Sequence, residues 1–243
     1  MCDYSEILKN RLYGNGWIHP YRMYEKTIRD YLRPESVVLD AGCGREASVL
    51  RELNVFARLA VGVDLCEVSA VEANSNIKLI RGDLRYLSLK NESLDIVTSR
   101  SVLEHIKNPE SVYREIYRIL KPGGYFIFLT PNLFDYGSLL SLLVPNRLHP
   151  CLVRITEGRR ETDTFPVFYK SNTEGSIRGF SGKLGFRVRE MKYLGQYPSY
   201  LMFNCLLFAL GALYDKLISS TEMLRKLRGW ILTVMVKDVR QTG

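Results

Sequence analysis

The chain has 243 residues, 46% of them hydrophobic, and a formal net charge of +8. That length holds one α/β domain with insertions or two small domains. Its five cysteines (Cys2, Cys43, Cys66, Cys151, Cys205) form no C-x-x-C pair and have no matching histidine set, which argues against a disulfide framework or a zinc site. The N-terminus, MCDYSEILKN, lacks the basic-then-apolar pattern of a cleaved secretion signal, so a reducing cytoplasm is the expected location.

Charge is unevenly placed. Residues 1–140 hold 18 Lys/Arg and 18 Asp/Glu, whereas residues 141–243 hold 16 and 8, so the whole excess belongs to the C-terminal part. There it suits a polyanion, an anionic membrane surface, an acidic substrate or simply a solvated face.

In chain order, residues 20–32 (PYRMYEKTIRDYL) place Met23, Ile28, Tyr31 and Leu32 at roughly helical spacing, and Pro34 ends the pattern. The spacing predicts a lead-in helix within a 1–36 N-terminal region. Strand and helix signals then alternate: strand Val37–Ala41, helix Glu46–Leu53, strands Ala60–Asp64, Ile77–Arg81 and Leu94–Ser99. Short strands separated by helices imply parallel pairing through crossovers. Asn108-Pro109-Glu110 opens a further helix, with Asn as cap, Pro in the first turn and Glu complementing the dipole. Its apolar face is Val112, Tyr113, Ile116, Ile119 and Leu120, and Lys121-Pro122-Gly123-Gly124 ends it. Tyr125–Thr130 reads as a central strand.

From Leu133 to Lys170 the alternation stops, as at a lid or substrate element covering 133–170. Thr173–Gly185 resumes as helix, Phe186–Tyr193 as strand and Gly229–Lys237 as a last strand. Between them Tyr200–Tyr214 is almost wholly apolar but shorter than the roughly 20 residues a membrane-crossing helix needs. With Lys216, Arg225, Lys226 and Arg228 after it, this 198–228 insert fits either peripheral contact with anionic lipid or a buried helix or homodimer surface.

The most informative segment is Val37-Val38-Leu39-Asp40-Ala41-Gly42-Cys43-Gly44, a strand that ends in a carboxylate and a glycine turn. Glycines let a ligand approach the backbone closely. Gly42-x-Gly44-x-x-Ala47 with Asp64 downstream also satisfies a relaxed dinucleotide pattern. Asp40 argues against that reading, because a pyrophosphate at the turn would meet a like charge. A partner offering an amine, hydroxyls and a cation fits better.

Taken together, VVLDAGCG, VGVDL, Arg81-Gly82-Asp83-Leu84, LDIVTSRSVLEHI and the K-P-G-G turn resemble, in order, the motifs of class I S-adenosylmethionine-dependent methyltransferases of the small-molecule, ubiquinone-biosynthesis-like type. The likeness is strong over residues 20–131. It implies a single domain: a Rossmann-like, doubly wound α/β fold with a seven-stranded, mostly parallel sheet, one antiparallel strand and a helical or irregular C-terminal insert. It implies S-adenosylmethionine as cofactor and no metal. Asp40, Ala41, Gly42, Cys43 and Gly44 would hold its methionine part, Asp64 the ribose hydroxyls, Leu65 the adenine face, and Asp83 and Leu84 the adenine edge. Ser99, Arg100 and His105 would close over the methionine end. The sequence departs where many members have a third glycine: Glu46 stands there and is expected to open the next helix.

Methyl transfer needs alignment above all, and a hydroxyl acceptor also needs a general base, for which His105, His149 and Asp163 qualify by residue type. The segment Asp163–Asn172 (DTFPVFYKSN) resembles one in methyltransferases of polysaccharide or glycolipid assembly. The expected acceptor is therefore a small molecule or a lipid- or glycan-linked group. RNA methylation and a non-catalytic binding role are the alternatives, and no RNA-binding module is recognisable.

Overall fold

β1 (Val37–Ala41) is buried at every position, as its unbroken apolar run requires of a strand covered on both faces. In the computed structural model, which describes residues 3–14, 16–67, 76–143 and 165–238, it lies inside a seven-stranded sheet of order β3-β2-β1-β4-β5-β7-β6. The other strands are β2 (Leu59–Asp64), β3 (Ile77–Arg81), β4 (Leu94–Arg100), β5 (Leu120–Pro131), β6 (Phe186–Leu194) and β7 (Trp230–Lys237). β3, β2, β1, β4 and β5 pair in parallel, and β7 runs antiparallel to both β5 and β6. The chain leaves β1 toward β2 and β3, then returns to place β4 on the other side. That reversal opens a crevice at the C-terminal ends of β1 and β4, where ligands bind in open α/β sheets.

Strand alternation sorts the two faces. Val37, Leu39 and Ala41 join Val97, Phe126 and Phe128 in the larger core, which α4 (Pro109–Ile119) closes with Val112, Tyr113, Ile116 and Ile119 and α6 (Glu174–Leu184) with Ile177. On the opposite face Val38, Ile96 and Ile127 meet Tyr24 and Ile28 of α2 (Pro20–Tyr31) and Val49 and Leu53 of α3 (Ser48–Leu53). Fully burying each such side chain is worth about 1.5–3 kcal/mol. A satellite cluster of Tyr13, Met202, Phe208 and Ala212 joins α1 (Asp3–Tyr13) to α7 (Cys205–Ser219).

Several local expectations are corrected. The third helix begins at Ser48 rather than Glu46, because Ala47 sits in the left-handed region (φ 46°) and extends the turn, so Glu46 stands outside the helix. Asn108 makes no side-chain cap; its carbonyl instead accepts the Ser111 hydroxyl at 2.8 Å. β5 begins at Leu120, with the K-P-G-G residues in a register shift of the strand opposite Leu94–Ile96. The apolar 200–214 run splits into a short turn at Ser199–Leu201 and α7, which the Asn204 side chain caps and which continues to Ser219. Arg228 is no surface charge: its guanidinium donates to the carbonyls of Tyr193, Ile218 and Thr221 and to Glu222.

Candidate functional site

Asp40 and Thr98 are register partners on β1 and β4, and both side chains emerge on the face of the sheet that carries α2 and α3. The Thr98 hydroxyl donates to Asp40 Oδ1 at 3.1 Å. Burial pushes the Asp40 carboxyl up to about 6, against the opposing pull of Thr98 and of the Arg100 guanidinium. Arg100 is the next residue of β4 on that face. It donates to Glu25 Oε1 at 3.2 Å and to the Ser48 hydroxyl at 2.9 Å, and lies 4.4 Å from the centroid of the Tyr21 ring. Arg100 thus joins α2 and α3 to the strand that carries Thr98, and supplies positive potential behind Asp40.

The glycine turn is held by the second strand. Gly42 and Cys43 donate their amides to the Val63 carbonyl at 2.8 and 3.2 Å, and Gly44 donates to Asp64 Oδ2 at 2.8 Å. Asp64 Oδ1 accepts the amide of Cys66 at 2.8 Å. Gly42 (φ 82°) cannot carry a Cβ, which would lie 2.3 Å from a Val102 methyl. At Gly44 (φ 67°) a Cβ would meet no atom within 4 Å, so the turn borders open space. Burial pushes the Cys43 thiol up to about 12, which keeps it protonated and leaves its backbone as the useful part.

The remaining expected residues divide. Leu65 is 59% exposed beyond β2, as a residue that covers a flat ring should be. Asp83 follows β3, but Arg85 engages both its oxygens at 2.6–3.0 Å, and that bond chiefly holds its carboxyl below the usual range. Leu84 is packed into the larger core, so only its backbone is left for a ligand. Ser99 is a strand tie: it lies on the opposite face of β4 from Thr98 and donates to the Ala41 carbonyl at 2.9 Å.

His105 follows β4 and meets a strap that includes Phe165–Asn172. Its Nδ1 lies 2.9 Å from the Pro166 carbonyl, and its ring 5.9 Å from that of Phe165. A carbonyl only accepts, so Nδ1 carries the hydrogen in this contact. Glu104 Oε1 is 3.9 Å from Nε2. Sequence reasoning passed over Glu104, which is buried, receives the Thr130 hydroxyl at 3.3 Å and has its carboxyl pushed up by burial to about 7. The Glu104 carbonyl accepts the amides of Phe168 and Tyr169, which fastens the strap, and Asn172 donates to Thr130 Oγ1 at 2.7 Å. The signal for Glu104 was its place beside His105 in the post-strand LEHI segment. His149 and Asp163 lie outside the described residues.

The acids, the open glycine turn and the raised Asp40 pKa fit a ligand that brings a cation and hydroxyls to this edge. A cavity of about 390 Å³ lined by Arg29, Pro34 and Phe56, among others, lies at the opposite edge, before β1 and β2 begin, and has no part in this arrangement. Among the described residues no cluster of His, Cys, Asp and Glu could hold a metal.

Comparison with known proteins agrees with this geometry. The family described as "Methyltransferase domain" matches residues 39–128. The chain is 32% identical over 165 residues to the ubiquinone biosynthesis O-methyltransferase of Pseudomonas putida, covering 58% of this chain and 68% of that one. It is 32% identical over 105 residues to a "Probable S-adenosylmethionine-dependent methyltransferase" of Mycolicibacterium smegmatis, of whose length it spans 40%. The crystal structure of an S-adenosylmethionine dependent methyltransferase from Mesorhizobium loti superposes with a TM-score of 0.58 at 18% identity, over 88% of this chain and 96% of that one. Phosphoethanolamine N-methyltransferase 2 of Haemonchus contortus, solved in complex with S-adenosyl-L-methionine, superposes at 0.57 with 15% identity, over 98% of this chain and 61% of that one; at such identities these two likenesses speak to the fold alone. The chain belongs to the class I S-adenosylmethionine-dependent methyltransferases.

Proposed function

We propose that the protein transfers the methyl group of S-adenosylmethionine to an oxygen nucleophile on a small-molecule or lipid- or glycan-linked acceptor. The observation that carries the choice of oxygen is the Glu104–His105 pair under the strap. A hydroxyl must lose its proton as it attacks, and the His105 imidazole, held by the Pro166 carbonyl, is the base proposed to take it. Glu104, whose carboxyl burial pushes up to about 7, stabilises the imidazolium when ionised, 3.9 Å from Nε2.

The bound cofactor supplies an already activated methyl group, so the protein's task is placement. In this reading Asp40 receives the amino group of the methionine part, and the backbones of Ala41, Gly42, Cys43 and Gly44 line it. Arg100 orients this end through α2 and α3. Asp64 has carboxylate lone pairs left, beyond its two backbone bonds, for ribose hydroxyls. Leu65 covers the adenine, and Asp83 takes its exocyclic amine after sharing its bond with Arg85. The strap from Phe165 to Asn172 forms one wall for the acceptor.

The test is transfer of labelled methyl from S-adenosylmethionine to lipid, glycan and RNA fractions, followed by alkaline cleavage to separate esters from ethers. Label in ether or ester linkage on lipid or glycan, lost in His105→Gln while calorimetric cofactor binding persists, is the expected result. Label on RNA, or on nitrogen, overturns it.

A further inference from the structure

The face of α7 turned away from the protein has no assigned role. Its inner side is spent: Phe208, Gly211, Ala212 and Ile218 are buried, and Asp215 accepts the Tyr13 hydroxyl at 3.0 Å. The exposed residues of this 15-residue helix are five leucines, Lys216 and Ser219, with no exposed acid. Leu206, Leu210, Leu213 and Leu217, at 70, 56, 69 and 59% exposure, recur at helical spacing as one stripe. The edge-on contact of Tyr136 with Tyr214 sets α5 (Tyr136–Leu143) beside α7, and α5 adds exposed Leu139, Leu140 and Leu142. The turn Glu222–Leu227 packs against α7 and carries Met223, 86% exposed, next to Arg225 and Lys226.

This surface has a defined place. α5 follows the C-terminal end of β5, and α7 spans from the end of β6 to the start of β7, where Leu194, Trp230 and Pro131 are register partners. These strand ends lie at the edge of the sheet that also carries Asp40, Asp64 and Glu104. The leucines are therefore attached to the site's edge of the molecule.

We propose that α5, α7 and the Glu222–Leu227 turn form a docking surface for an anionic lipid bilayer, with α7 lying in the plane of the interface. A helix of this length is about 22 Å long, short of the roughly 30 Å hydrocarbon core, and one face is already held by α1. No described helix is long and apolar enough to cross a membrane. Charge decides between a bilayer and a second copy. All of the net positive charge lies in residues 141–243, and Arg225 and Lys226 flank the leucines, while Lys216 is turned to α1, donating to the Leu12 carbonyl at 2.8 Å. Arg225 is 3.8 Å from Glu222 and Lys226 3.9 Å from Glu174, loose surface pairs that an anionic surface outcompetes. A two-fold dimer through the same stripe would bring both copies' basic residues together. A bilayer of anionic headgroups satisfies the leucines and the Arg225–Lys226 pair at once.

The test uses the full chain and flotation with vesicles of phosphatidylcholine alone or mixed with phosphatidylglycerol. Flotation is expected with the mixed vesicles and should fall as salt rises. Leu213→Gln/Leu217→Gln should lower it about tenfold or more, and Arg225→Gln/Lys226→Gln about tenfold. Both variants should keep wild-type thermal unfolding and S-adenosylmethionine binding, since all four side chains are exposed. Absence of flotation overturns the proposal, whether the chain then stays monomeric or forms a dimer in analytical ultracentrifugation that the leucine variant dissolves. Flotation indifferent to the leucine substitutions overturns it as well.

Discussion

Asp64 Oδ2 accepts the amide of Gly44 at 2.8 Å, so the acid at the end of the second strand holds the glycine turn at the end of the first. In the proposed reading one carboxylate thus shapes the pocket for one part of the cofactor while facing another. Asp64→Ala should lose both the Gly44 and the Cys66 bonds and weaken S-adenosylmethionine binding by about a hundredfold, the scale of one bond to a charged group. It should also destabilise the unliganded fold by about 1–2 kcal/mol. Asp64→Asn retains an acceptor for one amide and should lose less stability than affinity. Calorimetry beside urea unfolding separates the two effects.

Asp40 makes binding and stability depend on pH in opposite directions. Its folded-state pKa is raised to about 6, so the fold prefers the protonated form. From this group alone, stability of the unliganded protein falls as pH rises from about 4 through 6, by about 3 kcal/mol, and is flat above. Cofactor affinity should rise over the same window, because a cationic ligand needs the ionised carboxylate. Asp40→Asn should abolish that affinity yet raise the urea midpoint at pH 8. A midpoint that drops at pH 8 would count against the raised pKa.

How much of this was legible in the chain depended on whether the signal was local. β1 and β3 match their predicted bounds, because short apolar runs bounded by turns admit one reading. Asp40, Asp64 and Asp83 were legible for the same reason, each standing at or just past a strand end. The Glu104–Thr130–Asn172 chain was not, since its members are 26 and 42 residues apart and meet only when β5 and the strap close on the segment after β4. α1 was also missed: Tyr4 and Ile7 are exposed, so its apolar residues mark no clean stripe. A side chain's direction is equally hidden, as Arg228 demonstrates.

Arg228 gives a direct contrast within one basic cluster. It donates to four backbone carbonyls and to Glu222, whereas Arg225 and Lys226 make single loose pairs. Arg228→Ala should therefore destabilise the protein by about 2 kcal/mol or more through unpaired carbonyls between α7 and β7. Arg225→Ala and Lys226→Ala should stay within about 0.5 kcal/mol of wild type. Thermal unfolding of the three variants checks the order.

Glu104, its carboxyl raised to about 7, should impose a second loss of stability as pH rises from about 4.5 through 7, and Glu104→Gln should remove it. The amide still accepts the Thr130 hydroxyl, so the strap stays in place. If Glu104 stabilises the protonated His105, the variant should lower kcat about tenfold or more with cofactor affinity unchanged. A variant with wild-type kcat would restrict Glu104 to holding the strap.

Gly42 and Gly44 should respond differently to alanine, though both have positive φ. At Gly42 the new methyl would strike Val102, so Gly42→Ala combines roughly 1–2 kcal/mol of backbone strain with a steric clash in a packed core. Val102→Ala in the same chain should recover the steric part and leave the strain. At Gly44 nothing lies within 4 Å, so Gly44→Ala should lose only the strain in stability. In the proposed reading its methyl then stands in the cofactor's space, and affinity should fall by more than stability does. Equal losses of affinity and stability at Gly44 would place the cofactor away from the turn.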